Sequence, residues 1–149
     1  MSEGACRCGE VRIRAEGAPL VTMACHCRGC QRMSGSAFSL SSLYPADRFA
    51  VSAGEPVRGG VGTGPSHMFC AKCMSWLFTV PEGLEQFVNV RSVMFDDASD
   101  HRPFMETYTA DRLGWASAGA ELGFETMPAD DQFPRLLADY AAWEGRVKQ

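Results

Sequence analysis

Short apolar or alternating runs, separated by turn residues, occupy most of the chain. Val11-Arg12-Ile13-Arg14 alternates apolar and basic positions, the period of a strand buried on one face. Leu20 to Ala24, Ala37 to Leu43, Ser66 to Phe69, Trp76 to Val80, Phe87 to Val90 and Phe104 to Tyr108 are runs of the same kind. Gly17-Ala18-Pro19, Tyr44-Pro45-Ala46-Asp47, Ala53-Gly54-Glu55-Pro56 and Pro81-Glu82-Gly83 punctuate them. Turns this frequent predict a mainly β chain of antiparallel sheets. The period changes near the end, where Phe133, Leu136, Leu137, Tyr140 and Trp143 or Glu144 follow the spacing of an amphipathic helix. Asp130 or Asp131 can cap it and Pro134 suits its first turn, so one C-terminal α-helix is expected over residues 131–147. Tyr140 and Trp143 are expected to pack in the core.

The glycine-rich run from Arg58 to Pro65 fits neither a dinucleotide fingerprint nor a phosphate-binding loop, because no Gly-Lys-Ser/Thr follows it. It reads as a hairpin loop leading into the next strand.

Composition narrows the classes. At 149 residues the chain suits one domain, 1–149, and 46% hydrophobic with 21% charged residues excludes a disordered one. No apolar run approaches the ~18 residues that span a bilayer, and the first residues lack the basic start and apolar core of a secretion signal. A cytoplasmic location without a membrane partner is therefore expected. The net charge is −4 and no block of lysine and arginine breaks it, so nucleic acid is not expected as a partner.

Seven cysteines change the picture. An odd number in a chain without a secretion signal argues against a disulfide framework and for metal ligation or thiol chemistry. They fall into three clusters: Cys6-Arg7-Cys8, Cys25-His26-Cys27-Arg28-Gly29-Cys30 and Cys70-Ala71-Lys72-Cys73. The two outer pairs sum to four thiolates, the closed tetrahedron of structural zinc, and the central cluster supplies three with one position open, the pattern of a reactive zinc. Two other assignments stand beside it. The central cluster could close with His26 or His67, although His26 would point away from its neighbours on an extended segment; or the cysteines are free or redox-active. A thioredoxin-like reading of Cys70 and Cys73 lacks the surrounding βαβ pattern.

The order Gly4-x-Cys6-x-Cys8-Gly9-x-Val11, then Cys25-His26-Cys27-x-x-Cys30-Gln31-Arg32-x-Ser34-Gly35-Ser36-x-Phe38, then Phe69-Cys70-x-x-Cys73 resembles the glutathione-dependent formaldehyde-activating enzyme family. Val93-Met94-Phe95-Asp96-Asp97 and Trp115 are looser landmarks. The resemblance implies tent-like β-sheets held by zinc, a scaffold shared with centromere protein V domains. It also implies two zinc ions: a structural one on Cys6, Cys8, Cys70 and Cys73, and a catalytic one on Cys25, Cys27 and Cys30. Two positions depart from the pattern. Met74 stands where the family usually has glycine, and Arg91 stands where glycine usually precedes its Leu-Asp-Asp-like segment, which touches substrate identity.

The activity implied is that of a carbon–sulfur lyase forming or cleaving S-hydroxymethylglutathione or a related thiol adduct. Its partners would be glutathione, as co-substrate, and an aldehyde. A thiol bound to zinc is deprotonated and ready to add to an aldehyde carbon. Glutathione carries two carboxylates, so Arg28 and Arg32 are candidate cations beside the open site, and Ser34, Gly35 and Ser36 candidate donors. Asp96, Asp97 and Asp100 read as a solvated acidic loop, and His101 is expected to face solvent. The alternative is a non-catalytic, zinc-stabilised protein- or ligand-binding module on the same scaffold.

Overall fold

The structure is a computed structural model describing residues 1–147. Its strands are β1 (Ser2–Ala5), β2 (Arg12–Ala15), β3 (Val21–Cys25), β4 (Ser39–Pro45), β5 (Phe49–Ala53), β6 (Pro56–Gly59), β7 (Ser66–Cys70), β8 (Trp76–Val80), β9 (Phe87–Arg91), β10 (Met105–Thr107) and β11 (Leu122–Gly123). Two α-helices join them, α1 (Arg28–Ser34) and α2 (Phe133–Ala142). A three-stranded sheet runs β1-β2-β5, and an eight-stranded sheet runs β11-β10-β3-β4-β9-β8-β7-β6. The chain is mostly β, as its turn frequency predicts. All pairings are antiparallel except those of β10, which runs parallel to both β3 and β11.

The alternation at β2 does what its period requires. Ile13 and Ala15 are buried while Arg12 and Arg14 face solvent. Ile13 joins Val11, Tyr44, Leu77, Val90 and Phe95 in the core between the two sheets. Burying a side chain of that size contributes about 1.5–3 kcal/mol. A second core lies under α2, where Leu136 and Tyr140, one turn apart, meet Val21, Leu43, Phe104 and Met105. Gly4 explains how the small sheet reaches the large one. It bridges to Phe95, and a Cβ there would stand 2.0 Å from the carbonyl oxygen of Met94.

The C-terminal helix is shorter than the expected span of 131–147. A 3-10 turn at Asp130–Gln132 leads into α2, which stops at Ala142. Trp143 leaves the helix at ψ 129° and lays its ring against Phe104 and Tyr140. Gly145 permits the reversal, because any Cβ there would lie 2.3 Å from the Trp143 ring. Packing of the indole therefore ends the helix, and Tyr140 and Trp143 do sit in the core. The glycine-rich run closes the β6–β7 hairpin, with Gly59 paired to His67. Among the described residues, no helix is long and apolar enough to cross a membrane.

Candidate functional site

The seven cysteines gather into two groups. Cys6, Cys8, Cys70 and Cys73 form one and Cys25, Cys27 and Cys30 the other, the donor atoms of each group lying within 4.8 Å of one another. In the first, the sulfurs of Cys6 and Cys8 are 3.5 Å apart and those of Cys8 and Cys70 are 3.8 Å apart. Four sulfurs at ~2.3 Å from one ion would be separated by about 3.8 Å, so this group has the dimensions of a tetrahedral thiolate centre. The Val11 N–H donates to the Cys6 sulfur at 3.3 Å, and the Ser75 hydroxyl lies 3.2 Å from the Cys73 sulfur. Hydrogen bonding to Ser75 holds the Cys73 thiol down at about 5. The turn between Cys70 and Cys73 closes with the Met74 N–H donating to the Cys70 carbonyl at 2.9 Å. Met74 itself adopts φ 57°, the left-handed region in which glycine is unstrained. That is the local reason a glycine suits this position.

The three-cysteine group is assembled by a strand end and a helix start. Cys25 closes β3, Cys27 is the N-cap of α1, and Cys30 lies in its first turn. The Cys30 N–H donates to the Cys27 sulfur at 3.3 Å, so a thiol fills the capping role usually given to serine or aspartate. Gly35 ends α1 at φ 62° with its N–H donating to the Gln31 carbonyl. Gln31 is buried, and its amide donates to the carbonyls of His26 at 2.6 Å and Asp111 at 3.0 Å. It receives a hydrogen bond from Arg28. The helix is thus tied down from the side that faces the chain.

The thiols of this group cannot all ionise on their own. The hydrogen bond from Cys30 holds the Cys25 thiol down at about 5, while the same contact, together with burial, pushes the Cys30 thiol up. Burial pushes Cys27 up as well. One thiolate therefore suppresses its neighbours, and three thiolates in one place require a cation. Three soft sulfurs match zinc by their chemistry.

Neither histidine considered as a fourth ligand joins a cluster. His26 is fully buried, edge-on to Phe38, with Nε2 3.8 Å from a Glu106 carboxylate oxygen that lies against Arg112 through its partner oxygen. His67 pairs with Thr79 at 2.9 Å and stands edge-on to Trp76.

His101 is corrected: it is 2% exposed rather than solvent-facing. Its Nδ1 lies 2.7 Å from the Ser42 hydroxyl, its Nε2 3.4 Å from Asp97, and its ring stacks on Phe95. Serine, histidine and aspartate here have the order of a nucleophilic triad, but Ser42 is fully buried, so no substrate reaches it. Asp97 is tied into this network and also accepts from the Ser2 hydroxyl at 2.8 Å, while Asp96 and Asp100 are exposed.

A cavity of about 350 Å³ is lined by neighbours of both cysteine groups, with Ser39 from the side of Cys25 and Met74 and Ser75 from the side of Cys73. Ser34 and Ser36 are on its wall with Ser39, Trp76, Met74 and Arg91. Arg28, Arg32 and Gly35 are not among the lining residues; both arginines are exposed. Ser39 links cavity to cysteines, because it is the register partner of Cys25 across the β3–β4 ladder. Ser39, Trp76 and the cavity-lining role of Arg91 were missed by sequence reasoning. A serine in a strand and an arginine at a strand end carry no signal until the sheet pairs them with the cysteines.

The family described as glutathione-dependent formaldehyde-activating enzyme matches residues 1–111. A crystal structure of a Rhodobacter sphaeroides protein, a structural genomics target, is similar at TM-score 0.51 and 18% identity, covering 82% of this chain and 98% of that one. That likeness bears on the fold alone. No curated protein matches the chain.

Proposed function

We propose, for a chain that belongs to the glutathione-dependent formaldehyde-activating enzyme family, that it is a zinc-dependent carbon–sulfur lyase acting on glutathione–aldehyde adducts. The observation that carries this reading is the convergence of three cysteine sulfurs, with no fourth donor in the group among the described residues, and a cavity large enough for a small thiol that is connected to them through Ser39, the register partner of Cys25. Cys25, Cys27 and Cys30 would hold the reactive zinc, and Cys6, Cys8, Cys70 and Cys73 a structural one. Zinc on three thiolates supplies one thing when bound: it keeps an incoming thiol deprotonated at neutral pH. The sulfur of that thiol then attacks the aldehyde carbon, forming the carbon–sulfur bond of an S-hydroxymethyl adduct. The carbonyl oxygen takes a proton as the pair on sulfur is shared with carbon, and the reverse step returns thiol and aldehyde.

The chain's own residues do the positioning. Gln31 orients α1 so that Cys27 and Cys30 face Cys25, and Ser34 and Ser36 stand on the cavity wall. No histidine or carboxylate lines the cavity among the described residues, so proton transfer is left to solvent. Addition of a thiolate to formaldehyde is undemanding enough to allow that. Met74, on the cavity wall, narrows it and favours a small electrophile.

Cys27→Ser tests the reading. Serine is a good N-cap, so α1 should persist, the chain should stay folded and one zinc should remain. Formation of S-hydroxymethylglutathione above the uncatalysed rate should be lost. Turnover equal to the parent's would remove the three-cysteine group from catalysis and leave the binding-module alternative in front.

A further inference from the structure

Arg91 ends β9 in the cavity wall and is 7% exposed. Its guanidinium carbon lies 4.1 Å from the centre of the Trp76 ring, and Nη2 donates to the Asn89 carbonyl at 3.2 Å. Nε is buried with no hydrogen-bond partner among the described residues. Ser39, on the same cavity wall, has a buried hydroxyl that neighbours the Cys30 thiol. Burial draws the guanidinium down to about 10, and the groups facing it that counter this are the thiols of Cys25 and Cys30. Among the described residues no carboxylate pairs with it.

A buried cation without a carboxylate is costly unless something else answers its charge. The aromatic face below it fixes the plane of the guanidinium but leaves its N–H edge to be satisfied. The guanidinium of Arg91, in the cavity wall and without a carboxylate partner among the described residues, is what an anion's oxygens would meet on entry. Arginine's planar fork suits a carboxylate better than a point charge would.

We propose that Arg91 is the specificity-determining residue of this cavity, receiving the carboxylate or other oxyanion of a small anionic thiol whose sulfur is directed to the three-cysteine group. The proposal rests on the thiol-binding reading above and narrows its substrate class: neutral thiols are poor ligands, and thiols carrying an anion a few bonds from sulfur are good ones.

The test compares two probes of equal size, 3-mercaptopropionate and its neutral amide, by calorimetric titration of the zinc-loaded protein. The parent should bind the carboxylate ~10- to 100-fold more tightly than the amide, the range of a charge-assisted hydrogen bond. In Arg91→Met the ratio should fall to about 1, and Arg91→Lys, which keeps charge but not the fork, should recover part of it. A residue that merely balanced the charge of the metal centre would shift both probes together and leave the ratio unchanged. A ratio near 1 in the parent overturns the proposal even if Arg91→Met fails to fold, and so does a ratio that survives in a folded Arg91→Met. Parallel assays of adduct formation separate the two readings. Turnover with a ratio of 1 overturns only the role of Arg91. A ratio above 10 without turnover overturns only the lyase. Failure of both probes to bind overturns both.

Discussion

The side-chain amide of Gln31 donates to the backbone carbonyl of His26 at 2.6 Å, joining the helix that carries Cys30 to the segment that follows Cys25. This one contact sets the relative placement of the three central cysteines. A second bond from the same nitrogen, to Asp111 at 3.0 Å, extends the tie to a loop 80 residues away in sequence.

Gln31→Leu should therefore act on both stability and metal binding. The buried carbonyl of His26 loses its donor, as does the less buried one of Asp111, a loss of about 1–3 kcal/mol that urea unfolding would read. Metal affinity of the three-cysteine group should fall ~10- to 100-fold in a chelator competition, as when an orienting partner behind a ligand is removed. The four-cysteine group should keep its affinity. Equal weakening of both groups would mean that Gln31 supports the fold generally and not this centre.

Met74→Gly should stabilise the protein. Its φ of 57° strains any side chain by about 1–2 kcal/mol, and glycine gives back about 0.5–1 kcal/mol through the freedom of the unfolded chain. Met74 is 61% exposed, so little packing is lost. The net gain of ~0.5–1 kcal/mol would appear as a rise of a few degrees in Tm. A fall in Tm would show that the thioether packs against the cavity more firmly than its exposure implies. The same variant widens the cavity wall and should admit bulkier electrophiles.

Cys73→Ser should be far more damaging than Cys27→Ser. Structural zinc contributes ~10–16 kcal/mol of apparent binding free energy, comparable to the whole stability of a domain. Removing one of four sulfurs should leave a chain without cooperative unfolding and with less than one zinc. A well-folded Cys73→Ser protein, seen by near-ultraviolet circular dichroism, would assign the four-cysteine group a lesser part in the fold.

Acid should destabilise the protein through its buried histidines. Burial holds His101 and His67 below the usual imidazole value. The unfolded chain then binds more protons near pH 6 than the folded one, so stability is complete above the unfolded value of ~6.5 and is lost as pH falls through it. His101→Gln removes one such site, and its stability should fall less steeply from about pH 6.5 to 5 in denaturant titrations. An unchanged slope would mean that Asp97 keeps the buried ring protonatable.

The cysteine spacing pointed to a division of seven thiols into four and three, with two other assignments beside it, because C-x-C and C-x-x-C spacings bring neighbouring sulfurs together; that the pair Cys6 and Cys8 meets the pair Cys70 and Cys73 was decided by the fold. Alternation in β2 and the runs at β3, β8 and β9 were legible for a similar local reason: one face or both had to be apolar. Helix α1 left no such trace, since its seven residues include Gly29 and show no apolar stripe, and its capping group is a thiol. Strand β1, reading Ser-Glu-Gly-Ala, is likewise held by pairing with β2 and not by its own composition. The burial of His101 and the place of Arg91 were decided only by tertiary structure. His101 is enclosed because Phe95 stacks on it and Ser42 reaches it from a strand 59 residues earlier. Arg91 sits by the cysteines because β4 lies between β3 and β9, pairing Cys25 with Ser39 and Arg91 with Ser41. Local chemistry determined which atoms can hold a metal; strand order, a property of the whole sheet, determined what surrounds them.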